Sequence, residues 1–126
     1  MDASAAALAR ARTRVPDTVQ PLHGSVPGDW PGGTYDLVVL SEVAYYVDEA
    51  DLQRLLDLIE TALAPGGTVV ACHWRHEVED YPQSGDQVHA ALARWPRLSR
   101  TAEEDFVLDV LAPGGAVSVA RREGLL

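Results

Sequence analysis

The stretch YDLVVLSEVAYYV, residues 35–47, decides the fold. Its Leu-Val-Val-Leu run has no polar interruption, which predicts a strand covered on both faces, as in a parallel sheet. Ser41 and Glu42 follow at once, then Tyr45 and Tyr46. A helix is expected next, from Asp48 or Asp51 to Leu63, because Leu52, Leu55, Leu56, Ile59 and Leu63 recur on one helical face. Pro65-Gly66-Gly67 ends it, and residues 68–73, TVVACH, read as the next strand. Strand, helix, strand is the signature of a parallel α/β unit.

Upstream, Ser4 is placed to cap a helix running to about Arg14, with Arg10, Arg12 and Arg14 complementing its C-terminal dipole. Pro16 stops it, residues 19–23 are β-tolerant, and GSVPGDWPGG is turn-rich. Downstream, HWRHEVEDYPQSGD reads as loop, and residues 86–95 as a helix with Val88, Leu92 and Trp95 on one side. Residues 106–111 and 116–121 read as two strands joined in a hairpin by Ala112-Pro113-Gly114-Gly115.

The 126 residues suit one domain, and 19 acidic residues against 10 arginines give a net charge of −9. That balance argues against nucleic acid and against an anionic membrane surface as partners. The chain has no lysine, which excludes Schiff-base chemistry and a complete P-loop. One cysteine, Cys72, permits no internal disulfide, so a cytoplasmic compartment is expected. The longest uncharged run, residues 61–74, contains Pro-Gly-Gly, so no membrane span is expected.

DASAAALARAR, GSVPGDWPGGTYDLVVLSEVAYYV, LAPGGTVVACHWRH and SVARREGL resemble successive motifs of class I S-adenosylmethionine-dependent methyltransferases. The chain resembles in particular the nodulation methyltransferase S type, whose members N-methylate chitooligosaccharide amino sugars. The resemblance implies a Rossmann-like sheet in the order 3-2-1-4-5-7-6, with a terminal antiparallel hairpin. It implies S-adenosylmethionine as cofactor and a small amine as acceptor. The family opens with a strand, a glycine-rich loop, a helix and a second strand ending in an acid. Asp2 falls at that acid, so residues 1–126 are expected to be the C-terminal portion of one domain, N-terminally truncated and lacking its first two strands. The strand at residues 35–40 then lacks a neighbour. A missing N-terminal half or a second copy of the chain is the expected partner, and the alternative is a non-catalytic half-domain that assembles through that edge.

Ligands of open α/β sheets bind beyond the carboxyl ends of the strands, where Ser41 and Glu42 fall. Glu42 is the first catalytic candidate, fixing a substrate amine or receiving its proton. His73, at the end of the next strand, is the second. Cys72 and His73 point to opposite faces, which argues against a nucleophilic dyad. The resemblance assigns cofactor contacts to Asp2 at the ribose, to Gly24, Ser25 and Val26 at adenine, and to Ser41. On its own residues Asp2 reads as a helix-start acid, and Gly24, Ser25 and Val26 read equally as a plain turn. Tyr45 and Tyr46 are candidates for the substrate wall or the core. The resemblance also implies that Arg75, Tyr81 and His89 belong to a substrate-facing loop and helix. His73, His76, Glu77, Glu79 and Asp80 match no ordered zinc spacing, so no metal is assigned.

Overall fold

The computed structural model describes residues 1–117 and 119–126. The chain divides into two compact units, residues 1–31 and 32–126.

In the first unit, helix α1 spans Ala5–Arg12. The Ser4 side chain accepts the Ala7 N–H at 3.2 Å, an N-cap that satisfies one orphan helix donor. Residues 19–23, β-tolerant by sequence, form no strand. A single parallel bridge joins Asp2 to His23, with Asp2 N–H donating to Leu22 O at 3.0 Å and Gly24 N–H to Asp2 O at 3.1 Å.

The second unit is a four-stranded sheet with its helices. Strand β1 is Tyr35–Ser41, β2 Leu63–Trp74, β3 Arg97–Ala102 and β4 Phe106–Leu111. They lie in the order β1-β2-β4-β3, with β1 and β2 parallel and β4 antiparallel to both neighbours. This is the 4-5-7-6 portion of the expected order. Helix α2, Glu49–Ala62, is capped by Asp48, whose side chain accepts the Asp51 N–H at 2.8 Å. Helix α3 spans Gly85–Ala91 behind a Ser84/Gln87 capping box, and a 3-10 turn, Leu92–Arg94, extends it.

Two expectations are corrected. The hairpin joins β3 to β4 around residues 103–105, where Glu103 N–H donates to Phe106 O at 2.9 Å. The Ala112–Gly115 turn leads into no partner strand: residues 115–117 are irregular and Val119–Arg122 is a helical turn, α4. Ser118, inside that expected strand, lies outside the described residues. Nor is β1 covered on both faces. Val38 and Leu40 are buried, whereas Leu37 and Val39 are 53% and 56% exposed. β1 is thus covered on one face only, and it is also an edge strand of the sheet.

Cross-strand partners share a face, so the inner face carries Val38, Leu40, Val69, Ala71, His73, Val107, Asp109 and Leu111. All of them are buried, as are Leu52, Leu55, Leu56 and Ile59 of α2 and Val88, Leu92 and Trp95 after β2. Removing this much apolar side chain from water, at roughly 1.5–3 kcal/mol per large residue, is what holds the unit together. Two polar residues, His73 and Asp109, sit in the middle of that face.

Candidate functional site

β1 and β2 run parallel, so their carboxyl ends lie together at Ser41 and Trp74. Immediately past β1 the backbone bends: Glu42 has φ 55°, the left-handed region that costs a non-glycine residue about 1 kcal/mol. Its N–H still donates to Cys72 O at 2.9 Å, so the bend is anchored on β2. The bend returns the Glu42 side chain across the strand ends. Its Oε1 accepts the Trp74 N–H at 2.9 Å, and its Oε2 accepts the Tyr45 hydroxyl. Burial, then the hydrogen bond to Glu42, pushes the Tyr45 phenol well above its ordinary value, so it stays a donor.

Tyr45 and Tyr46 lie on a 3-10 turn, Ala44–Tyr46. Tyr81 comes from the loop before α3 and stacks on Tyr45 with ring centroids 5.1 Å apart. Its hydroxyl is 3.0 Å from that of Tyr46, a hydrogen bond that raises the Tyr81 phenol above its ordinary value. Tyr45 is buried and Tyr46 exposed, so one ring braces the carboxylate and the other faces solvent. An ionised carboxylate has roughly four acceptor positions. Glu42 uses two on internal donors and is exposed. What remains is an acceptor beside three aromatic rings, an arrangement suited to an amine or another cation.

His73 sits beneath this cluster rather than in it. It is fully buried, and both ring nitrogens are engaged, Nε2 by the Ala44 N–H at 3.2 Å and Nδ1 by His89 Nε2 at 3.1 Å. Burial, then the neighbouring His89, lowers its pKa to about 3. Proton handling toward a substrate, expected from sequence, has no free nitrogen to use. His89, expected to face a substrate, is buried and hydrogen-bonds Asp109 Oδ2 at 2.7 Å. Burial disfavours the Asp109 carboxylate, but hydrogen bonds from Arg100 and His89 outweigh it and hold the group below its ordinary value.

Arg75 is also diverted. Its fork grips Asp86 at 2.9 and 3.0 Å, and its third nitrogen donates to Glu103 O at 2.6 Å, so it ties β2 to α3 and to the hairpin loop. Cys72 lies opposite His73, and burial, then Glu42, raises its thiol above the ordinary value, away from thiolate chemistry. Ser41 is exposed at the end of β1. Among the described residues no three His, Cys, Asp or Glu side chains converge as metal ligands, and no helix is long and apolar enough to cross a membrane.

Asp2, Gly24, Ser25 and Val26 lie in the first unit. Asp2 Oδ1 accepts the Ser4 N–H at 2.7 Å, the helix-start role, while the carboxylate stays exposed with acceptor capacity left. Asp29 closes the turn after His23, its Oδ2 accepting the Ser25 N–H at 3.0 Å. A Cβ on Gly24 would stand 2.7 Å from Asp29 Cβ, so the closure requires glycine there. For S-adenosylmethionine the donor set fits: an exposed acid suits ribose hydroxyls, and the exposed Ser25 suits an adenine edge.

Sequence reading missed Asp29, Asp109, Arg97, Arg100 and the Trp74 N–H. Asp109 carried a signal, since it is the one charged residue in the apolar strand FVLDVL and occupies a core-facing position of its alternation.

Residues 1–71 match the model of a methyltransferase domain family. No curated protein sequence matches the chain. A protein of Pseudomonas syringae assigned as a methyltransferase is 39% identical, with TM-score 0.71 over 88% of this chain and 69% of that one. The N-methyltransferase NodS of Bradyrhizobium japonicum is 22% identical, with TM-score 0.75 over 90% of this chain and 71% of that one. Its complex with S-adenosyl-L-homocysteine is 20% identical, with TM-score 0.73, and this chain spans 65% of its length. With more than half of its residues matched by the family model, the chain belongs to the methyltransferase domain family.

Proposed function

We propose that the chain takes part in S-adenosylmethionine-dependent N-methylation of a small amine, with an amino sugar as the acceptor class. One observation carries the reading: the Glu42 carboxylate is pinned by Tyr45 and Trp74 beside three tyrosines, at the carboxyl end of the parallel strands. S-adenosylmethionine supplies, when bound, the electrophilic methyl group. Asp2 and Ser25, in the first unit, are the residues assigned to its ribose and adenine.

The acceptor nitrogen must be neutral to attack, and its remaining N–H groups need an acceptor. Glu42 provides one on its unused lone pairs and takes the proton the amine sheds. Because Tyr45 and Trp74 hold both oxygens, the carboxylate needs no reorganisation to receive the amine. The tyrosine rings displace water from its apolar flank and suit stacking against a sugar ring. The structures of NodS and of a glycopeptide N-methyltransferase, each under 25% identical, support the fold of this reading.

The test is a titration with glucosamine, followed by backbone amide shifts in a nuclear magnetic resonance spectrum. Trp74 and Tyr81 should move, and N-acetylglucosamine, whose nitrogen is not basic, should leave them in place. Equal shifts with both sugars, or none with glucosamine, would contradict an amine site at Glu42.

A second reading rests on the outer side of β1. Leu37 and Val39 are exposed and the strand edge pairs with no other strand in the sheet, which favours a half-domain that assembles with another chain. Concentration-dependent association abolished by Leu37→Arg is its expected signature.

A further inference from the structure

Five elements meet in a buried polar chain that the catalytic reading leaves unused. Ala44 N–H donates to His73 Nε2 at 3.2 Å, His73 Nδ1 lies 3.1 Å from His89 Nε2, and His89 Nδ1 lies 2.7 Å from Asp109 Oδ2. Arg100 closes the far end with bonds of 2.8 Å to each Asp109 oxygen, and Arg97 Nε forms an ion pair with Oδ1 at 3.1 Å. His73, His89 and Asp109 are each at most 2% exposed.

The backbone fixes where the protons are. An amide N–H can only donate, so His73 Nε2 is bare. A neutral imidazole must carry one proton, which therefore sits on Nδ1 and points at His89. His89 Nε2 must then accept, so its single proton is on Nδ1 and points at Asp109. One donor at the start and one carboxylate at the end leave a single consistent arrangement, with every site filled. Gly85 lets α3 approach closely enough for this, since a Cβ there would stand 2.1 Å from Trp74 O.

Ala44 lies two residues after the strained Glu42 and next to Tyr45, and the His73 ring also packs edge-on against Tyr45 at 5.4 Å. We propose that His73, His89 and Asp109 are positioning residues, a proton-ordered chain that holds the Glu42–Tyr45 bend in place from Arg100 on the opposite edge of the sheet. The functional weight of this rests on Glu42 facing the acceptor, whereas the ordering itself does not.

Two measurements on the full chain test it. Ring nitrogen spectra of the unmodified protein should show both His73 and His89 protonated on Nδ1 alone from pH 6 to 8. An Nε2 proton on either ring, or titration of His73 in that range, overturns the ordering. In His89→Phe, hydrogen exchange at the Ala44 and Trp74 amides should quicken by about tenfold or more, while the amides of Leu55 and Ile59 in α2 keep their protection. Unchanged exchange at Ala44 and Trp74 in the folded variant overturns the positioning role. If the α2 amides also lose protection, the variant has unfolded, and the ring spectra of the unmodified chain decide. Loss of the glucosamine response in Glu42→Gln, by contrast, reads on the amine site alone. A failed amine site with ordered rings removes the acceptor reading and leaves the chain of bonds standing.

Discussion

Glu42 and His73 lie at the same end of the same pair of strands, and the sequence makes each a candidate for proton handling. The structure separates them by how much hydrogen-bonding capacity each has left. Glu42 is exposed and has spent half of its acceptor positions. His73 is buried and has spent everything, one nitrogen on a backbone amide and the other on His89. A polar side chain at a strand end is therefore not a reactive one by position alone. Unspent valence facing solvent marks the site, and saturated valence facing the core marks its support.

The support should be the more sensitive to truncation. Asp109→Ala leaves His89 with an unpaired donor and Arg97 and Arg100 without their counter-charge. A loss of about 3–5 kcal/mol is expected, read from denaturant unfolding, as for other broken buried pairs. Gly85→Ala drives a methyl group into Trp74 O, at an expected cost of about 2–3 kcal/mol by the same measurement.

Acid should act on the same region, and its sign is fixed. Unfolded His73 takes up a proton near pH 6.5, whereas the folded ring, buried and beside His89, does so only near pH 3. The unfolded state thus binds more protons between those values, and stability falls as pH drops through that window. His89 is shifted in the same direction and adds to the loss in that window, and Asp109, held below the usual carboxylate range, adds to it at still lower pH. At roughly 1.4 kcal/mol per pH unit, His73 alone should remove about 2–3 kcal/mol at pH 4.5. His73→Phe should flatten the profile of thermal midpoint against pH between 6.5 and 4.5. An equally steep profile in that variant would place the acid sensitivity elsewhere.

The exposed cluster should be forgiving by comparison. Tyr46→Phe removes one hydroxyl contact at an exposed ring and should change stability by less than about 1 kcal/mol.

The sequence makes one side of this contrast legible and hides the other. β1, β2 and α2 are readable because each carries a strong apolar period, and the start of α2 because Asp48, a capping acid, precedes it. Glu42 is readable because it immediately follows an apolar strand. β3 is not, since RLSRTA is exposed at every position and becomes a strand only by pairing with β4. With β3 unseen, the Pro-Gly-Gly turn after β4 reads as the hairpin, and the last strand is placed one element too late. The buried chain is hidden for a different reason. His73, His89 and Asp109 come from three elements, at separations of 16 and 20 residues, and no local period relates them. Arg100 shows the same limit, as it meets Asp109 only once the β3–β4 register is known.

On the proposed reading, Glu42 is the group that meets the acceptor. The most direct measurement is transfer of a labelled methyl group from S-adenosylmethionine to glucosamine, comparing the unaltered protein with Glu42→Gln. The expected result is a rate lower by about 100-fold or more in the variant, the usual scale for a lost general base, with donor affinity unchanged. Transfer at an undiminished rate by Glu42→Gln would contradict it.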